Sequence, residues 1–194
     1  MVKIKCCGMT NLDDCKLAEA LGVDFVGFVF YKKSTRRVTP GTVSRITERL
    51  GKEISTVGVF VEENDREIAQ IVDDCGLDLA QVYRASTLRA TIRAFRIADT
   101  ILEPVPVEGL CLFDSYTEGF GGSGQPFDLS ALPVDKALLG RAFIAGGIDE
   151  QNVHDALRLE PFGIDLVSSL EAYPGKKDQR KMERFIKTAR SFVI

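Results

Sequence analysis

Short apolar runs with strand character alternate with segments of helical period along nearly the whole chain. That alternation selects a parallel sheet with helical crossovers, because parallel neighbours cannot be joined by a tight turn. Strand signals fall at 3–8, 24–31, 55–61, 77–83, 94–98, 109–115, 141–146 and 163–169. Helix signals fall at 11–23, 39–51, 64–76, 86–94, 127–139 (interrupted at Pro133), 149–160 and 176–194. Asn11, Thr39 with Pro40, and Asn64 are placed to open the first three helices, and Gly76 to close the third. Cys15, Leu17, Ala18 and Leu21 recur at spacings of three and four and so share one face of the first helix.

Eight strands with crossovers favour a (β/α)8 TIM barrel over an open doubly wound sheet. At 194 residues the chain is short for that fold, so the expectation is a compact barrel with a helix shortened or missing between strands five and six. There, residues 99–108 carry Pro104 and Pro106, which break a helix. No linker-like stretch divides the chain, so a single barrel domain over residues 1–194 is expected.

Composition narrows the function. A hydrophobic fraction of 45% and a charged fraction of 27% suit a soluble core, and a net charge of −3 offers no basic field for nucleic acid. No apolar run approaches the ~20 residues of a membrane helix. The opening MVKIKCCGMT lacks the features of a secretory signal, so a cytoplasmic protein without membrane or nucleic-acid partners is expected. Five cysteines without a CxxC pair argue against a disulfide framework or a zinc site, so no metal is expected. The one histidine, His154, lies on the polar side of a helical stretch. Ser-His and Cys-His catalysis therefore fall away, and acid–base chemistry is left to Cys, Asp, Glu, Lys or Tyr.

Residues at the carboxyl ends of barrel strands face the ligand crevice. Cys7 closes the first strand before Gly8, and Asp114 closes the sixth before a glycine-rich loop. A thiol and a carboxyl there can move protons in opposite directions on one substrate. The plainer readings are a buried small apolar residue for Cys7 and a turn aspartate for Asp114. Side chains alternate along a strand, so Lys3, Lys5 and Cys7 share a face, while Ile4 and Cys6 face the helices. Lys5 is thus expected to pull the Cys7 pKa below the ordinary thiol value of about 8.5. Gln81 points inward with Leu79, as a ligand contact or a polar plug. Arg36 and Arg37 follow strand two, where they suit an anionic substrate or form a solvated cluster. Gly146 and Gly147 after strand seven, and Ser168 and Ser169 after strand eight, stand where barrels commonly build a phosphate site. Loop 119–124, with Gly122 and Gly124, offers further backbone donors.

Taken together, KCCGMT, GFVFYKKSTRRVTP, VGVFV, FDSYTEGFGGSGQPFD, IAGGI and PGKKD resemble the phosphoribosylanthranilate isomerase family of tryptophan biosynthesis in order and spacing. The resemblance implies a barrel enzyme that uses no cofactor. It would convert N-(5-phosphoribosyl)anthranilate to its aminoketose by an Amadori rearrangement. By the same resemblance Cys7 is the general base, Asp114 the general acid and Arg36 the holder of the anthranilate carboxylate. Backbone N–H groups around Gly146, Gly147, Ser168 and Ser169 would hold the phosphate. The expected partner is therefore a small phosphorylated substrate, and the chain is a monomer or a homodimer. Three departures stand out. QVYR, with Tyr83 and Arg84, replaces a QLHG-like segment; Ser169 replaces a glycine; and residues 97–109 are shortened. A histidine-pathway aminoaldose isomerase and a metabolite-binding barrel without turnover are the competing readings.

Overall fold

The computed structural model describes residues 1–97, 105–115 and 135–192. Eight parallel strands close into a barrel in chain order, with β1 hydrogen-bonded to both β2 and β8. The strands are β1 (Lys3–Cys6), β2 (Phe25–Val29), β3 (Ser55–Phe60), β4 (Leu79–Val82), β5 (Thr91–Ile97), β6 (Leu110–Ser115), β7 (Ala142–Ala145) and β8 (Gly163–Leu166). Helices α1 (Leu12–Ala20), α2 (Pro40–Thr47), α3 (Asp65–Cys75), α4 (Lys136–Leu139), α5 (Val153–Arg158) and α6 (Gln179–Ser191) pack outside. A hairpin of β9 (Glu171–Tyr173) and β10 (Lys176–Lys177) follows a 3-10 turn at Ser168–Leu170.

Local signals account for the helix ends. The Asn11 and Thr39 side chains accept from Asp14 N and Thr42 N. Asn64 forms a reciprocal capping box with Glu67, and Gly76 closes α3 in the left-handed region that glycine enters without cost.

Strand alternation divides the core into two layers. Ile4, Cys6, Val26, Phe28 and Phe60 belong to the cluster packed under the helices, while Phe25, Val57, Ile92, Ala94, Leu112 and Phe143 fill the barrel. Phe143 meets Phe25 and Phe162 edge-on, with centroids 5.3 and 5.2 Å away, and these rings fill the amino-terminal end of the barrel. The opposite end carries the polar side chains Gln81, Asp114 and Asp165 among apolar ones.

The helix expected over 86–94 does not form. Residues 83–90 run as loop and bend, and β5 starts at Thr91, earlier than the expected 94. Ser86 and Thr87, which read locally as a helix start, instead donate to Asp65 at the head of α3, from Ser86 Oγ at 3.0 Å, Thr87 Oγ1 at 2.6 Å and Thr87 N at 2.8 Å. Arg84 adds bonds to the Glu63 carbonyl at 2.7 and 3.2 Å and an ion pair with Asp65 at 2.8 Å. Among the described residues the crossover after β4 therefore holds no helix. Between β5 and β6 the described residues 105–109 hold no helix either. Of the helix expected over 127–139, Lys136–Leu139 is helical, and residues up to 134 lie outside the described part, as do Gly122 and Gly124. The eighth strand ends at Leu166, short of the expected 169.

Candidate active site

At the carboxyl ends of the strands lies a cavity of about 810 Å³, including its open mouth, and Cys7, Arg36, Gln81, Asp114, Gly146, Gly147, Ser168 and Ser169 all line it. The barrel thus gathers the sequence-selected residues that the structure describes, except Arg37, which lines a separate pocket beside α3. Asp165 and Tyr83, which sequence reasoning did not select as site residues, also face it.

Cys7 follows β1 and is fixed by its N–H, which donates to Leu166 O at 2.8 Å. Across from it Gly27 is required. A Cβ there would stand 2.6 Å from Cys7 Sγ, closer than real contacts allow. Gly8, at φ +73°, leaves room for Arg36, whose Cδ would be 2.7 Å from a Cβ at that position. These two clearances explain why glycines flank the thiol in sequence and in space.

Lys5 lies one alternation below Cys7 and is fully enclosed, its ammonium donating to Asp165 Oδ2 at 2.9 Å. Burial works against the Lys5 charge, but Asp165 and Cys7 hold its pKa above the ordinary lysine value. Asp165 Oδ1 and Gln81 Oε1 are buried without a partner among the described residues. Both belong to side chains lining the cavity, so both can accept from a hydroxyl or amine placed there.

The expected depression of the Cys7 pKa is corrected by the structure. Burial dominates and pushes the thiol above its ordinary value; Lys5 offsets this only in part, and Asp165 adds to the rise. Asp114, on β6, is raised to about 6, first by burial and then by Asp165, against the pull of Arg96 and Lys5. Arg96 is the β5 residue in register with Asp114. Burial and the Asp114 charge also push the Tyr83 phenol well above its usual pKa, and the phenol oxygen accepts from Gln81 Nε2 at 3.3 Å.

Arg36 reaches the cavity from the loop after β2 and is gripped by Glu171, Nε to Oε1 at 2.8 Å and Nη2 to Oε2 at 2.7 Å. Gly146 and Gly147 take φ of +97° and +62°, and a Cβ at Gly146 would collide with Ser115. Asn152 pins this turn, donating to Gly147 O at 2.8 Å. His154 is exposed on α5 and lies against Phe192 with ring centroids 5.3 Å apart, away from the cavity lining.

The profile of the N-(5'-phosphoribosyl)anthranilate (PRA) isomerase family matches residues 4–188. The chain belongs to this family. The N-(5'-phosphoribosyl)anthranilate isomerase of Pelobacter propionicus is 38% identical over 202 residues, covering 98% of this chain and 96% of that protein. A solved monomer form of the dimeric isomerase from Thermotoga maritima superimposes with a TM-score of 0.82 at 28% identity, covering 99% of this chain and 100% of that one. A phosphoribosyl anthranilate isomerase in complex with reduced 1-(o-carboxyphenylamino)-1-deoxyribulose 5-phosphate gives a TM-score of 0.80 at 28% identity, with the same coverage. Among the described residues no helix is long and apolar enough to cross a membrane, and no group of three or more His, Cys, Asp or Glu could hold a metal ion.

The sequence signals for the missed groups are visible in retrospect. Lys5 on an inward face demands a buried anion, and Asp165 is the acidic residue in the middle of the last strand. Glu171 and Lys177 carried no such signal, because they follow the last strand in a segment with no barrel periodicity.

Proposed function

We propose that this PRA isomerase family member catalyses the Amadori rearrangement of N-(5'-phosphoribosyl)anthranilate with Asp114 as general acid and Cys7 as general base. One observation carries the reading: a carboxyl raised to about 6 on β6 and a thiol just past the end of β1, with a lysine one alternation beneath it, face the same cavity. Near neutral pH a useful fraction of Asp114 still holds its proton, which it delivers to the ribose ring oxygen as the C1–O bond breaks. The iminium left at C1 acidifies the C2 hydrogen. The Cys7 thiolate removes that proton, its charge offset by the Lys5 ammonium, and the enolamine tautomerises to the aminoketose. Gly146, Gly147, Ser168 and Ser169 hold the phosphate, with Gly122 and Gly124 as further donors. Arg36 takes the anthranilate carboxylate, and Gln81 takes a ribose hydroxyl on its unpaired Oε1. No step calls for a cofactor or a metal. The enzyme acts in the cytoplasm on this small phosphorylated substrate, as a monomer or homodimer.

Steady-state turnover of freshly prepared phosphoribosylanthranilate, followed by loss of its fluorescence, tests the assignment. Turnover removed by Cys7→Ser and by Asp114→Asn supports it. Tight binding without turnover in the wild type would make the chain a metabolite-binding barrel instead.

A further inference from the structure

Arg36 does not stand alone at its edge of the cavity. Glu171 is 5% exposed and occupies one whole side of the guanidinium, through Nε and Nη2. A guanidinium is planar and presents its donors in fixed pairs. With the Nε–Nη2 side taken by Glu171, the end-on pair of Nη1 and Nη2 is the one left to meet a second planar anion.

Glu171 is itself immobilised. Its Oε1 also accepts from Gly175 N at 3.1 Å and from Lys177 Nζ at 3.4 Å. The Lys177 ammonium is enclosed and gives its other protons to the carbonyls of Cys7 at 2.7 Å and Val167 at 3.0 Å. Asp14 Oδ2 receives the Lys177 backbone N–H at 2.8 Å, which docks the β9–β10 hairpin onto α1. One short hairpin therefore holds the guanidinium on one side and the backbone of the thiol on the other.

We infer that Glu171 is the positioning residue that turns the end-on edge of Arg36 into the cavity, and so sets selectivity for a substrate carrying a carboxylate on its aromatic amine. This rests on the reading of Arg36 as the carboxylate clamp. Charge alone makes the opposite prediction. Glu171 partly neutralises Arg36 and Lys177, so removing its charge leaves the corner more positive and would tighten anion binding. Orientation predicts weaker binding.

Calorimetric titration separates the two, using reduced 1-(o-carboxyphenylamino)-1-deoxyribulose 5-phosphate and the same compound with phenyl in place of carboxyphenyl. In Glu171→Gln the carboxylated ligand is expected to bind about tenfold to a hundredfold more weakly, and the phenyl compound within about twofold of wild type. In an Arg36→Met background, Glu171→Gln is expected to change neither. Tighter binding of the carboxylated ligand, equal loss on both ligands, or a wild type that does not favour the carboxylated ligand overturns the inference. If Glu171→Gln does not fold, Glu171→Asp, with a shortened reach, is read by the same ratio. In turnover, Glu171→Gln raises KM and leaves kcat within about threefold, whereas Lys177→Met lowers kcat as well, because it frees the Cys7 backbone. A wild type that binds but does not turn over would defeat the proposed reaction while leaving the ligand ratio readable.

Discussion

Lys5 and Asp165 form an ion pair inside the barrel, Nζ to Oδ2 at 2.9 Å, between strands that are the first and last of the sheet. They are also in register, so closure of the barrel is what brings the charges together. The pair acts on both the thiol and the carboxyl: Lys5 lowers and Asp165 raises the pKa of both Cys7 and Asp114.

Breaking the pair on one side leaves an uncompensated buried charge. Lys5→Met is expected to cost about 3–5 kcal/mol of stability, and Lys5→Met with Asp165→Leu to recover much of it. Urea denaturation of the three proteins checks this; equal stability of the single and double variants would show that Asp165 is not stranded.

Under the proposed mechanism Asp114 ties stability to activity. Its folded pKa of about 6 lies above that of the unfolded chain, near 3.9, so the folded state keeps a proton that the unfolded state has lost. Stability therefore falls as pH rises from about 4 to about 6, and the loss is complete above that window. Asp114→Asn is expected to be more stable than wild type at pH 7, by up to about 3 kcal/mol, and equal to it near pH 4. The same substitution is expected to lower kcat by about 10²–10⁴. Thermal melts at the two pH values, with kcat from the turnover assay, provide the comparison.

The raised pKa of Cys7 means the resting group is a thiol. Under the proposed mechanism the productive form then pairs a protonated Asp114 with a minority thiolate. As pH rises above about 6 the protonated acid becomes scarcer in the proportion that thiolate grows, so kcat/KM is expected to be level from about 6 up to the Cys7 pKa and to fall beyond each end. Alkylation of Cys7 by iodoacetamide, followed by mass spectrometry, reads the thiolate directly. Its rate is expected to reach half-maximum at a higher pH than for free cysteine; a midpoint below about pH 8 would contradict the assignment.

Gly27 is the site of a geometric test. Gly27→Ala places a methyl 2.6 Å from Cys7 Sγ, so the thiol must turn away. The expected outcome is a loss of kcat of about a hundredfold, with affinity for the reduced product analogue within a few-fold of wild type and an unchanged circular dichroism spectrum. Undiminished kcat would mean that the position of the thiol does not matter to the chemistry.

Much of the architecture was written locally. Caps at Asn11, Thr39 and Asn64 and the period-two alternation of Lys5–Cys7 and Leu112–Asp114 depend on near neighbours, and neighbours are what a sequence displays. The same local logic failed at 86–94, where Ser86 and Thr87 looked like a helix start but found Asp65 across a loop.

By itself the sequence determined the alternating fold, the strand-end addresses of Cys7 and Asp114 with the strand face each occupies, and the place of Arg36 in the loop after strand two. Only the tertiary structure decided that Lys5 meets Asp165 and Arg36 meets Glu171, partners 160 and 135 residues apart. It also decided that Cys7 is raised rather than lowered. The reason is physical. Periodicity governs where a side chain points relative to its own strand, whereas an ionisation state is the sum of burial and charges contributed by every strand that closes around it.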